Sequence, residues 1–408
     1  MGRTALRALI GLPQHFPGGV SGQACASRGR YVGMLDLDQL LRLAVEQRAS
    51  DVHVKVGARP RLRVDGVLRE AALDVVEPVD TEQAVRQLLG HAAIRLDGGA
   101  EVDGLHAVQG LSRFRVSAYR QRGWIGLVLR RVVPGVPALD ALGLPPVTAE
   151  LAAAPSGLVL ITGLAGSGRT STLAALVDHV NEHRPAHIVT IEQPIEVLHP
   201  DKLAVVDQRE VGSDTTSFLS ALLAAAHQDP DVVVVSDLPD ADSVLAALEI
   251  ADAGRLVLAA TQAIGAADAV TRLIERFSPT QQAPMRSLVA RTLRGVLCQR
   301  LVPRAGGRGR VPALEVLIAN GPVAEAVGHP DGGARLDPLI AEGEFWGMQT
   351  FDQGLAGLYG RGLVTRADAL AGATYEPGLS VMLDAADRER AGQSDSTAPW
   401  PTEPVAVG

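Results

Sequence analysis

Apolar residues take up a regular period from Leu35 onward. Leu35, Leu37, Leu40, Leu41 and Leu43-Ala44-Val45 recur at helical spacing, and Asp51-Val52-His53-Val54-Lys55-Val56 then alternates as a half-buried strand does. Arg61 to Leu68 reads as a hairpin around Asp65-Gly66, Thr81 to Leu89 as a helix, and Arg113–Tyr119 and Gly126–Arg130 as further strands. Pro134, Gly135, Pro137, Pro145 and Pro146 mark a connector. Beyond Ser156 the rhythm changes. The short apolar runs Leu158–Ile161, His187–Ile191, Val232–Val235 and Leu256–Ala260 alternate with helical stretches around Leu173–Val177, Phe218–Ala226 and Ser243–Ile250, the pattern of a parallel sheet with crossover helices. Helices are expected from Asp268 to about Ala371, broken by the Gly/Arg-rich turn Arg304–Arg310.

These patterns divide the chain into a leader (1–33), a small α+β domain (34–133), a linker (134–155), an α/β domain with C-terminal helices (156–375) and an unstructured tail (376–408) rich in Asp, Ser, Thr and Pro. Met34 is a candidate start, because the apolar piece Ala8–Leu12 meets Pro13 too early to serve as the core of a signal peptide. No apolar stretch approaches the ~18 residues of a membrane span. A net charge of −8 and 3% aromatic residues supply neither the basic field nor the stacking platforms of a nucleic-acid binder. Cys25 and Cys298 are too few for a disulfide framework or a four-thiolate zinc site, which suits a reducing cytoplasm.

Gly163-Leu164-Ala165-Gly166-Ser167-Gly168-Arg169-Thr170 follows an apolar run and opens a helical stretch, the context of a phosphate-binding loop, G-x-x-x-x-G-K-[ST]. Gly163, Gly166, Ser167 and Gly168 would cradle phosphate oxygens on backbone N–H groups, with Ser171 beside them, and Thr170 would place its hydroxyl on Mg²⁺. Arg169 stands where the pattern has lysine, and its broad planar fork fits that cradle less well than an ammonium point charge. Composition offers a plainer account, since only Lys55 and Lys202 are lysines among 38 basic residues.

Several further segments together resemble the PilT-type retraction ATPases of type IV pili, within the wider secretion-ATPase superfamily. They are Ala49-Ser50-Asp51-Val52-His53, Arg63-Val64-Asp65-Gly66, Arg113-Phe114-Arg115-Val116 with Arg120-Gln121-Arg122-Gly123, Gln208–Gly212, Gln228–Asp231, Leu293–Val296 and Gly347-Met348-Gln349-Thr350. The resemblance covers roughly residues 34–375. It implies a PAS-like α+β N-terminal domain, a RecA-like P-loop domain, ATP with Mg²⁺ bound between domains, and a hexameric ring working at an inner-membrane pilus platform protein from the cytoplasmic side. It also implies that arginines of the first domain, Arg113 and Arg120 among them, reach nucleotide across a domain or subunit boundary; a solvated strand face is the competing reading.

Where that family has E-D-P-I-E this chain has Glu192-Gln193-Pro194-Ile195-Glu196, which leaves Glu192 as a candidate for polarising water but removes one carboxylate. Asp237 stands at the family's catalytic glutamate and is one methylene shorter; a misplacement of about 1 Å can cost ~10²-fold in rate. Asp237 is thus a candidate catalytic and metal-binding residue, or a cap for the next helix. Arg255 and Gln262 occupy two histidine positions, and Gln262 could still sense a γ-phosphate. The helix around Val323–Gly328 lacks the family's basic residues. The expected function is a PilT-family ring protein that binds nucleotide with weak or absent ATP hydrolysis and partners an active paralogue. The rivals are an active retraction motor and a RecA-like motor on nucleic acid.

Overall fold

Two sheets organise the chain, and their difference follows from their hydrophobic patterns. In the computed structural model the described residues are 35–395, apart from 65, 91–92, 94–95, 97–100, 109, 133–134, 137 and 308; the expected leader lies outside them. The N-terminal part runs α1 (Leu37–Glu46), β1 (Asp51–Lys55), β2 (Arg61–Val64), β3 (Val67–Glu70), α2 (Pro78–Leu89), β4 (Val102–Val108), β5 (Ser112–Gln121) and β6 (Trp124–Val132). Its strands form an antiparallel sheet in the order β3-β2-β1-β6-β5-β4. Alternation along β5 sends Phe114, Val116 and Ala118 into a core with Leu40, Leu41, Val52, Val54, Leu127 and Leu129, while Arg113 and Arg115 take the other face.

The second part runs α3 (Val147–Ala152), β7 (Gly157–Thr162), α4 (Arg169–His183), β8 (His187–Glu192), β9 (Val205–Glu210), α5 (Phe218–Ala225), β10 (Val232–Val235), α6 (Ala241–Asp252), β11 (Leu256–Ala260), α7 (Ala266–Glu275), α8 (Pro279–Thr292), β12 (Leu293–Pro303), β13 (Arg310–Ile318), α9 (Gly321–Gly328), α10 (Gly332–Glu342), α11 (Phe351–Gly360), α12 (Arg366–Ala371) and α13 (Glu376–Asp395). The sheet order is β13-β12-β7-β11-β10-β8-β9, parallel throughout except for β13, which pairs antiparallel with β12. β7, β10 and β11 are buried on both faces, which is why they read as unbroken apolar runs. Leu158, Leu160, Val233 and Val235 face one helical layer, and Val159, Ile161, Val232 and Val234 the other.

Three expectations need correction. The stretch expected to be helical after Asp268 contains the long hairpin β12–β13, joined at the Gly/Arg-rich turn. Leu293–Pro303 mixes apolar residues with Arg294, Gln299 and Arg300, so periodicity alone does not fix its type, and pairing with β7 decides it. β4 and β9, with few fully buried positions, carried too weak an alternation to be read as strands. The segment expected to be an unstructured tail begins with α13, whose Leu379 and Leu383 are buried against Leu355, Leu358 and Val311. Part of its polar composition also docks it: Asp384 and Asp387 accept from Arg366, Asp387 accepts from Tyr359, and Arg390 donates to Gly360 O.

One of the family-like segments fastens the first sheet. Asp51 on central β1 is opposite both Arg63 of β2 and Arg130 of β6; it accepts from Ser50 Oγ at 2.7 Å and Arg130 Nε at 2.9 Å, with Arg63 Nε at 3.8 Å. Burial works against its charge, but the Ser50 and Arg130 bonds prevail and hold its carboxyl below the ordinary value. A depressed folded pKa stabilises fully above the unfolded value of about 3.9 and loses that contribution as pH falls through the folded value. Asp51→Asn is therefore expected to be less stable near neutral pH and to lose less on acidification below about pH 5 than the wild type, in denaturation curves taken across that range. Parallel curves for the two proteins would contradict this assignment.

Candidate nucleotide site

The carboxyl ends of parallel strands are where open α/β sheets place ligands, because the chain leaves each strand there into a loop and a helix N-terminus. β7, β11, β10 and β8 are consecutive neighbours and all parallel. Their ends bring together the phosphate loop with Arg169 and Thr170, then Gln262 after β11, Ser236 and Asp237 after β10, and Glu192 at the end of β8, around one cavity of about 210 Å³. Glu196, Val197 and His199 from the loop after β8 complete one wall. The sequence thus named groups that the sheet does assemble.

The loop has the shape of a phosphate cradle. Gly163 and Gly168 have φ of +142° and +94°, and a Cβ at either would come within 2.4 and 2.6 Å of Gln299, so only glycine fits. The first turn of α4 leaves N–H groups without intrahelical acceptors, aimed outward from a positive helix end. Thr170 and Ser171 are exposed and also line a second cavity of about 590 Å³, formed with Arg115, Arg130 and Arg131 of the first sheet and with Gly135 and Val136 of the linker. The two cavities share Thr170, Pro194, Glu196 and Val197, so they adjoin. This donor set fits a nucleotide polyphosphate. Mg²⁺ would be held by the Thr170 hydroxyl together with phosphate and a nearby carboxylate, Asp237 or Glu192, as that ion prefers few protein ligands.

The charged groups have particular partners. Arg169 Nη1 donates to Thr261 O at 2.6 Å, at the end of β11; burial lowers its pKa, opposed by the charge of Asp237. Asp237 is exposed and its Oδ1 accepts from the N–H of Leu238 at 2.9 Å. The cap of α6 is Asp240, which accepts from Ser243 N at 2.7 Å, so capping does not account for Asp237. Glu192 Oε1 accepts from Thr190 Oγ1 at 2.7 Å and Gln208 Nε2 at 3.1 Å. Burial nonetheless raises the Glu192 carboxyl above the usual range, which favours a role in taking a proton from water. Gln208 also donates to Val197 O and accepts from His199 N, which folds the loop after β8 against the cavity.

Not every named group arrives. Arg255 precedes β11, at the opposite end of the strand from Gln262, and lines a shallow depression with Leu222 and Glu249. At about 3.3 Å per residue along the strand it lies well away from the phosphate loop, so its departure from the family has no part in this cavity. Arg113 and Arg120 line neither cavity. Arg120 has the strand parity opposite to Arg113 and Arg115, and its guanidinium donates to Leu96 O at 3.0 Å and Gly123 O at 3.3 Å. Arg115 is the member of the β5 set beside the phosphate loop, joined by Arg130 and Arg131 of β6, which the sequence reading did not single out; Arg130 pairs opposite Arg115 and Arg131 opposite Phe114, a register that only the folded sheet shows. Gln299, under the loop, was also missed, because it lies on a strand read as helix.

The family model for Type II/IV secretion system proteins matches residues 32–331. The type IV pilus retraction ATPase PilT of Pseudomonas aeruginosa is 35% identical over 336 residues, which cover 82% of this chain and 97% of that protein. The type IV pilus ATPase PilU of the same organism is 34% identical over 350 residues, 86% of this chain and 91% of that one. A crystal structure of the pilus retraction motor PilT with bound ADP superposes with a TM-score of 0.78 at 34% identity, covering 85% of this chain and 99% of that one.

A carboxyl whose folded pKa is raised stabilises the fold below its unfolded pKa of about 4.3 and loses that contribution as pH rises through the folded value. Glu192→Gln removes the buried charge and keeps an acceptor for Thr190. Its melting temperature is expected to exceed that of the wild type near pH 8, with a smaller advantage near pH 5 (thermal scans at about those two values). A variant less stable than wild type at both would contradict the raised carboxyl.

Proposed function

The chain belongs to the Type II/IV secretion system protein family, on its PilT- and PilU-like branch of twitching-motility ATPases, and on that premise we propose that it is a nucleotide-binding ring protein with weak or absent ATP hydrolysis. The observation that carries this reading is a contrast within one cavity. The phosphate cradle keeps its glycines and helix end, while the cation and the carboxylate expected to act on the phosphates, though they line the same cavity, are engaged with main-chain groups, Arg169 Nη1 with the Thr261 carbonyl and Asp237 Oδ1 with the adjacent Leu238 N–H. Among the described residues no helix is long and apolar enough to cross a membrane. We infer a cytoplasmic hexamer, or a mixed ring with a paralogue, that docks at an inner-membrane pilus platform protein and regulates or braces an active motor.

In that scheme Gly163, Gly166, Ser167, Gly168, Arg169, Thr170 and Ser171 hold the phosphates. Gln262, exposed at the end of β11, senses their outer end, and Arg115 or its neighbours on β6 offset charge from the first domain. ATP, when bound with Mg²⁺, supplies the phosphoryl chemistry. A second reading, an active retraction motor, draws on one observation: Glu192 has the position and the raised carboxyl of a water-polarising base.

Purified protein is expected to bind ADP and ATP in calorimetry and to hydrolyse ATP well below ~1 s⁻¹, the low end of phosphoryl-transfer turnover. The combined variant Arg169→Lys, Asp237→Glu and Gln262→His is expected to gain hydrolysis. Wild-type turnover near ~1 s⁻¹ that disappears in Asp237→Ala would establish the motor instead. Filter binding at low salt is expected to detect no retention of nucleic acid, in line with the net charge of −8.

A further inference from the structure

Gln299 lies on β12, only 2% exposed, and both ends of its amide are engaged. Nε2 donates to Ser167 O at 2.7 Å, and Oε1 accepts from Thr172 Oγ1 at 2.8 Å. Ser167 belongs to the phosphate loop and Thr172 to the first turn of α4, so one buried amide ties the loop to the helix that it opens. The main-chain oxygen of the same residue lies under Gly163, and its Nε2 under Gly168. Two glycines of the cradle are therefore imposed by Gln299 from below, whereas nothing lies within 4 Å of a Cβ placed at Gly166. Both side-chain partners are more than 120 residues away in sequence, and both lie in the phosphate-binding segment.

We propose that Gln299 is a positioning residue for the nucleotide. It holds the phosphate loop in its accepting shape before ligand arrives, acting through Ser167 and Thr172 without touching the ligand. A loop this rich in glycine has many conformations to lose, and if they were lost only on binding, affinity would fall accordingly. β12 supplies the fixed reference: it is hydrogen-bonded to β7, the strand that leads into the loop, and to β13 on its other side. Arg300, the next residue, holds the loop after β11 by donating to Ile264 O at 3.3 Å and is itself stacked on Phe351. One strand thereby sets two of the loops that line the cavity. The inference rests on the nucleotide-binding reading above.

Gln299→Met keeps the buried volume and removes both hydrogen bonds; Thr172→Val removes one of them and carries the same test if Gln299→Met does not fold. ADP affinity with Mg²⁺ is measured by calorimetry, and hydrogen exchange is followed in the ligand-free full chain. ADP binding is expected to weaken about tenfold in Gln299→Met and less in Thr172→Val, the size of an ordinary buried hydrogen bond's contribution. Faster exchange should be confined to residues 163–172, with β10 and β11 unchanged. Unaltered affinity with unaltered loop exchange overturns the positioning role alone, and so does faster exchange across the whole sheet with affinity retained. A wild type that binds no ADP overturns the nucleotide reading and this inference with it.

Discussion

Parallel pairing of β7, β11, β10 and β8 is the constraint on which the candidate site depends. Each strand is buried, or nearly so, and its neighbours fix its register, so the four carboxyl ends stop at one edge of the sheet. Residues separated by dozens of positions along the chain, among them Arg169, Glu192, Asp237 and Gln262, meet there for no reason other than strand order. The same constraint removes Arg255, which precedes β11 at the end away from the site.

Above that rigid edge, the chemistry is set by short polar connections. Arg169 lines the cavity but bonds a main-chain carbonyl at the end of β11, which ties one nitrogen of its guanidinium to the sheet edge. Glu192 is the contrasting case: its hydroxyl and amide partners reduce the penalty of burial without cancelling it. A site with a glycine cradle, a half-buried acid and a cation tied to the sheet edge fits the proposed holding of phosphates. Its capacity to cleave them turns on whether Arg169 and Asp237 leave their present partners.

The first sheet contributes differently. Asp51 clamps three adjacent strands, β2, β1 and β6, through Arg63 and Arg130, and β6 in turn pairs with β5, the two strands that carry Arg115, Arg130 and Arg131 beside Thr170 and Ser171. Segments that resemble the pilus ATPases outside the phosphate loop thus include structural fasteners. Ser50-Asp51 closes the first sheet, and Thr350 caps α11 with a reciprocal bond from Gln353. Gln208 holds the loop after β8.

Sequence alone determined what is local. Continuous apolar runs identified the buried strands, glycine spacing before a helix pointed to a cradle, and the substituted letters at 169, 193, 237, 255 and 262 pointed to an altered site, of which 255 lies away from the cavity. Tertiary structure decided whatever depends on which residue faces which. Parity on β5 separates Arg115 from Arg120, opposite ends of β11 separate Gln262 from Arg255, and docking through Leu379, Leu383, Asp384 and Asp387 makes a helix of the first part of the expected tail, Glu376–Asp395. β12 shows the limit most plainly. Leu293–Pro303 mixes apolar residues with Arg294, Gln299 and Arg300 in no clear period, and only its pairing with β7 and β13 makes it a strand and places Gln299 beneath the phosphate loop. Local pattern encodes the period of an element, whereas its partners are chosen by burial and hydrogen bonding across the whole fold.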